Sequence, residues 1–235
     1  MDAANYTTLT RQSGLMRQME VIAQNIANVS TTGFRREGVI FSEYVTRLED
    51  APSLSMARGN TRMLDLSQAG ATQTGGTFDL AIDGEGFFLV ETPQGERLTR
   101  AGSFTRDAQG ELVTPDGYRL LDAGGAPVFV PPDARSVAVA ADGTLSADGT
   151  PLTRIGLWQA TDPLSLRHQA GTLFSAKDVE PAEGTIRQGF LEDSNVDPLT
   201  EIARMIEVQR AYEMGQGFLD REDERIRSVV STLGR

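Results

Sequence analysis

Residue types capable of chemistry are few in this 235-residue chain, and they are scattered. His168 is the single histidine and there is no cysteine. Disulfides, thiolate nucleophiles and thiolate metal sites are therefore out of reach. Zinc would need carboxylates from distant positions, and a histidine-based triad has one candidate base. The surrounding "LSLRHQAG" contains no Gly-x-Ser-x-Gly elbow, so His168 is expected at the surface. "DGEGFF" holds Gly84 and Gly86 at a separation seen in dinucleotide loops, but the third glycine and the opening helix are missing; it reads as a β-turn. "DGTLSADGT" repeats Asp-Gly without the twelve-residue spacing or closing glutamate of a calcium loop, so it too reads as turn chemistry. The acids of "LDREDERIR" alternate with arginines on a helix-like stretch, which favours solvated ion pairs over an acid pair. Trp158 is expected in a β-domain core. No catalytic, cofactor-binding or metal-binding residue is assigned.

Charge narrows the partners. The formal net charge is −11. Residues 1–40 hold four arginines against three acids, and residues 197–235 six against eight, so nearly all of the excess lies in 41–196. A chain without a basic stripe lacks the footprint of a nucleic-acid binder, and an acidic one is repelled by anionic membranes. No apolar run reaches the ~18–20 residues of a membrane span. The start, "MDAANYTTLTRQSGLMRQME", has neither a basic nor an apolar signal region, so no cleaved secretory signal is expected.

The elements fall into an order. Residues 3–29 read as a helix in which Leu15, Met19, Ile22, Ile26 and Val29 recur at steps of four and three, a narrow apolar seam. Asn28 and Gly33 suit its C-terminal end, since both tolerate positive φ. Residues 34–76 show no sustained period and read as an extended linker. From 77 to 192, short alternating runs are divided by Asp-Gly and similar dipeptides, the pattern of antiparallel hairpins. Ser194 or Asp197 is placed to cap a last helix, with Pro198 in its first turn. Its heptad-like register runs through Ile202, Met205, Gln209, Tyr212, Gln216, Leu219, Asp223, Ile226, Val230 and Leu233, with Ile206, Val208 and Val229 beside it. Gly215 and Gly217 each weaken that helix by ~1 kcal/mol. The fold class is α+β: long N- and C-terminal helices paired as a coiled-coil domain, flanking a central all-β domain of short antiparallel strands. The domains are residues 1–33 (first helix), 34–76 (linker), 77–192 (β domain) and 193–235 (last helix).

Two apolar stripes need cover, because each buried Leu, Ile or Met contributes ~1.5–3 kcal/mol and a lone helix in water is marginal. Pairing the two helices buries one face of each and leaves Leu9, Met16, Val208 and Val229 exposed. That residue of apolar surface calls for helices from other subunits, so the chain is read as an assembling protein.

Three blocks now carry a resemblance. Asn25, Ala27, Asn28, Thr32, Gly33 and Phe34 in "NIANVSTTGFRRE" resemble the N-terminal signature of the flagellar rod and hook axial proteins. "LAIDGEGFFLVETPQGERLTRAGSFTRDAQGELVTPDGYRLL" is similar to their central block. "GFLEDSNVDPLTEIARMIEVQRAYE", with Ser194, Asn195, Val196, Gln209 and Arg210, is similar to their C-terminal block. The blocks keep the family order and cover most of the chain; the length and "DLSQAGATQTGGTFDLAIDGEGFF" are most similar to proximal-rod members, with distal-rod members the rival. The resemblance implies a structural, non-enzymatic subunit of the bacterial flagellar basal-body rod. Such subunits are exported unfolded by the flagellar type III apparatus without a cleaved signal and assemble across the periplasm with other rod proteins and further copies. It places the stripes Leu15–Val29 and Ile202–Leu233 in intersubunit coiled-coil contacts. It implies no cofactor, nucleic acid, membrane insertion or small-molecule substrate. Outside that family, the residues alone are also compatible with a secreted β-domain binding module on a helical stalk, or a glycan-acting enzyme using paired carboxylates.

Overall fold

Helices form at both ends, for reasons visible at their caps. The computed structural model describes the backbone of residues 2–48 and 51–233 and the side chains of residues 7–40 and 62–232. Helix α1 spans Asp2–Ala27 and α2 spans Pro198–Leu233. Asp197 caps α2, its carboxylate accepting the Leu199 N–H at 3.1 Å and the Thr200 hydroxyl at 2.6 Å, with Pro198 in the first helical position. Beyond Ala27 a turn closes with the Thr31 N–H donating to Asn28 O at 3.1 Å, so Val29 lies past the helix rather than on its seam.

The chain divides into two compact units, each discontinuous in sequence: Met1–Ala27, Glu37–Asp65 and Val196–Arg235 in the first, Asn28–Arg36 and Leu66–Asn195 in the second. In the first unit, β1 (Glu37–Leu48) and β2 (Ala51–Leu64) pair antiparallel from Glu37↔Leu64 to Leu48↔Ala51, and α1 lies against both strands as well as against α2. Residues 37–64, expected within an extended linker, are thus a long hairpin. Its first strand is rich in Val, Ile, Phe and Tyr; its second, "APSLSMARGNTRML", is built from poor strand formers and is held by pairing across the hairpin instead of by local preference.

The helices meet through Leu15 and Ile22 of α1 and Val208 of α2, flanked by Met19, Ile26, Met205, Ala211 and Tyr212. α1 and α2 run antiparallel, since Asn25 bonds Glu201 while Gln12 bonds the Tyr212 carbonyl. Val208, expected to be exposed, is instead at the centre of the contact.

The second unit is all-β. Its main sheet is antiparallel and seven-stranded, in the order Arg167–His168, Leu173–Ser175, Gly95–Thr99, Phe88–Thr92, Arg119–Leu120, Leu112–Val113, Thr105–Arg106. Leu80–Asp83 pairs with Thr185–Gln188, and Ala71–Gln73 with Phe190–Glu192. Alternation puts Leu80 and Ile82, Phe88 and Val90, Leu120, Leu145 and Ile155 into one core. Phe88 and Phe104 meet edge-on at 5.4 Å, a favoured aromatic geometry.

Candidate assembly surface and its polar supports

In the first unit one side chain joins three elements. Asn25, near the end of α1, is fully buried. Its Nδ2 donates to Glu37 O at 2.8 Å, and its Oδ1 accepts the Glu37 N–H at 3.0 Å. The amide therefore pairs with the first residue of β1 much as a neighbouring strand would. Nδ2 also donates to Glu201 Oε2 at 3.0 Å, in the first turn of α2. Only an amide supplies two donors and an acceptor here; an aspartate would repel both Glu201 and Glu37. Arg204 and Arg62 reach the same two carboxylates from the surface, at 3.3 and 3.1 Å.

In the second unit the segment after α1 is locked in place by the segment before α2. The Gly33 N–H donates to Glu192 O at 2.8 Å. Gly33 has φ +69°, and a Cβ there would fall 2.4 Å from backbone atoms of Arg100 and Ala101, so no other residue fits without displacement. Phe34 is buried edge-on to His168, ring centroids 5.8 Å apart. Asn195 accepts the Arg36 N–H at 2.6 Å and donates to Ser67 O at 3.1 Å. Beneath lies an ion triad: Arg35 Nη2 to Glu192 Oε1 at 2.7 Å and Arg100 Nη1 to Glu192 Oε2 at 3.2 Å, all three side chains almost wholly buried. Burial pushes Arg100 down to about 10, Glu192 opposing and Arg35 reinforcing the shift. Gly33, Phe34 and Asn195 were legible as a motif but not as a clasp, and Arg35, Arg100 and Glu192 carried no signal of their own.

The expected assembly residues separate into two groups. Leu15, Met19, Ile22, Ile26, Met205 and Tyr212 are buried or half-buried inside the chain. Leu219 and Val29 are half-buried. Ile202, Ile206, Ile226 and Val230 stay exposed, at 47, 44, 37 and 64 %. Leu233 ends α2, its side chain lying outside the described residues. Gln209, Arg210, Gln216 and Asp223 are exposed, so the polar positions are not in the covered seam. That seam follows Glu201, Met205, Val208, Tyr212 and Gly215, sharing Met205 and Tyr212 with the expected register and taking Glu201, Val208 and Gly215 in place of Ile202, Gln209 and Gln216. Gly215 leaves room for Gln12: a Cβ would lie 2.3 Å from Gln12 Nε2, which donates to Tyr212 O at 2.9 Å, so a larger residue would push that side chain aside.

Ile226 and Val230 continue the covered face of α2 at helical spacing, yet α2 has 36 residues against 26 in α1 and overhangs it. Ile202 and Ile206 sit on another flank with Leu199, while Met214, Phe218 and Val229 add further exposed apolar surface. On α1, Leu9 and Met16 are exposed as expected. Leu199, Met214 and Phe218 were missed because a single seven-residue register was imposed on a helix with apolar residues on several faces.

The groups that first suggested chemistry are occupied structurally. Gly84 and Gly86 turn the chain at φ +99° and +117°. Asp142 accepts the Thr144 N–H and hydroxyl, and Asp148 accepts the Ser136 N–H. Glu222–Arg225 and Asp223–Arg227 are ion pairs along α2. His168, expected at the surface, is half-buried against Phe34 and Phe174. Trp158, expected in the core, is half-buried and bridges Phe87 through its backbone.

Three stretches match known families: residues 6–35 the family described as flagella basal body rod protein, residues 81–147 the flagellar hook protein FlgE/F/G D1 domain, and residues 187–232 the flagellar basal body rod FlgEFG protein C-terminal region. The flagellar basal-body rod protein FlgF of Caulobacter vibrioides is 37 % identical over 248 residues, covering 100 % of this chain and 99 % of that protein. FlgF of Mesorhizobium japonicum is 35 % identical over 240 residues, with the same coverage. FlgG of Caulobacter vibrioides is 32 % identical over 256 residues, covering 94 % of this chain and 96 % of that protein.

Proposed function

The chain belongs to the flagellar basal-body rod protein family, as a structural rod subunit most like FlgF, and from that premise we propose that it polymerises in the proximal rod through its terminal helices. In this reading it is exported by the flagellar type III apparatus, and it assembles across the periplasm with other rod and hook proteins and further copies of itself. It performs no catalysis. The α1–α2 pair, extended by helices of neighbouring subunits into a coiled-coil tube, forms the wall of a hollow drive shaft.

The observation that carries this is the overhang of α2. Ile226 and Val230 extend a face that the chain itself covers only as far as α1 reaches. Each leucine-sized side chain left wet forgoes ~1.5–3 kcal/mol, so neighbours that cover the overhang gain most of what the lone chain cannot. Ile226→Asp and Val230→Asp are expected to abolish incorporation into basal bodies, and with it swimming, while the β unit stays folded. Ile22 is a poor site for that test, because Asp there would break the contact within the chain. Normal basal-body content of both α2 variants would rule the reading out.

A distal-rod position is the second reading, supported by the 32 % identity to a FlgG. Cross-linking within purified basal bodies separates the two by the neighbours captured. The stalked binding module and the glycan-acting enzyme have no comparable support.

A further inference from the structure

Two arginines of the helical unit border a groove that contains no acid. The groove, of about 390 Å³, lies between α1 and α2; Leu15, Ala211, Met214 and Phe218 form apolar walls, and Arg11 and Arg221 line it as well. No carboxylate is among its lining residues, and both arginines are exposed. Arg221 directs its Nε to the Gly217 carbonyl one turn back, at 2.9 Å. Its terminal nitrogens, and the whole of Arg11, meet no acceptor among the described residues. Met214 is 68 % exposed and Phe218 39 %. A partner covering them would also draw the two guanidiniums out of water, which is costly unless it brings carboxylates. The occupant that fits is apolar and acidic together.

Another flank of α2 carries that combination. Leu199, Ile202 and Ile206 stand exposed along it at helical spacing, and the line continues through Glu213, Gly217, Asp220 and Glu224. Those three acids are exposed and take part in no ion pair among the described residues, whereas Glu222 and Asp223 pair with Arg225 and Arg227. At Gly217 a Cβ would meet nothing within 4 Å, so the flank is open to a neighbour. It lies about a third of a turn around α2 from Met214, Phe218 and Arg221. One copy can therefore present this flank to the groove of another while each keeps its own α1 in place.

We propose that the groove receives the acidic flank of α2 from a second copy of this chain, Arg11 and Arg221 pairing with the carboxylates of Glu213, Asp220 and Glu224. Groove and flank are different surfaces, so the contact is head-to-tail and repeats from copy to copy instead of closing on a symmetric pair. Its setting rests on the rod-subunit reading, which it deepens by naming the two surfaces that meet.

The test is charge reversal in the full chain, scored as the amount of subunit in purified basal bodies. Arg11→Glu with Arg221→Glu is expected to lower that amount about ten-fold, since like charges then face each other across the contact. Asp220→Arg with Glu224→Arg is expected to do the same. Combining all four changes restores opposite charges, and incorporation is expected to recover; two unrelated structural defects in one chain would not give that result. Failure to recover, or normal incorporation of either double variant, overturns the second copy as occupant. On the unaltered chain, phenylglyoxal is expected to modify Arg11 and Arg221 in the purified subunit and to spare both in basal bodies. Equal modification in the two states overturns the filled groove, and this comparison decides even if a variant misfolds. Absence of the wild-type chain from basal bodies would overturn the rod reading alone. The contact is then scored by sedimentation of the purified chains: the two double variants should associate when mixed and neither by itself, and a mixture that stays monomeric overturns it.

Discussion

Glu192 and Gly215 show how much rests on single positions. Glu192 holds both guanidiniums of the triad and also accepts the Ala69 N–H at 3.1 Å. Breaking a buried ion pair leaves an uncompensated charge and costs ~3–5 kcal/mol, so Glu192→Gln should destabilise the β unit by about that much in urea unfolding. Two glycines of α2 look equivalent in sequence, and the structure separates them. Gly217 has open space where a Cβ would go, so Gly217→Ala should stabilise α2 by ~0.5–1 kcal/mol. Gly215→Ala should bring no such gain, because the methyl would displace Gln12 from Tyr212 O. Helix melting followed by circular dichroism compares the pair directly; equal gains would contradict the close approach of α1.

At the scale of elements, caps were readable and pairings were not. Asp197 was one of two caps named from type and position, and it caps α2 in the structure. The Thr200 hydroxyl and the Leu199 N–H hold its carboxyl below the ordinary carboxylate range. An acid depressed in this way contributes stability that is present above its unfolded value, about 4, and lost as pH falls through the lower folded value. The Leu199 amide resonance should therefore titrate with a midpoint below about 4, and Asp197→Asn should remove that titration. A midpoint at or above 4 would mean that the cap does not form. The hairpin of residues 37–64 lies at the other extreme: its second strand has no local signature, and only its partner and α1 make it a strand. The same holds for the covered face of α2. Several faces of that helix carry apolar residues, and the approach of Leu15 and Ile22 selects the one centred on Val208.

Among the described residues one core lies between the helices and another within the sheets, and each unit is expected to unfold in its own transition. Asn25→Ala removes three hydrogen bonds from the helical unit, at roughly 1 kcal/mol each. It should lower that transition by about 3 kcal/mol and leave the β transition in place; Glu192→Gln should do the reverse. A single transition shifted alike by both variants would show one cooperative unit instead.

Sequence alone determined the α+β class, the helical ends, the glycine turns between short strands and the poverty of catalytic groups, because each of these is written in spacings of two to seven residues. The tertiary structure decided the hairpin, the face of α2 that is covered, and the roles of Asn25, Gly33, Arg35 and Glu192. Asn25 meets Glu201 across 176 positions, and Arg35 meets Glu192 across 157. A hydrogen bond or ion pair between residues so far apart leaves no local periodicity in either segment, so only the folded chain reveals it.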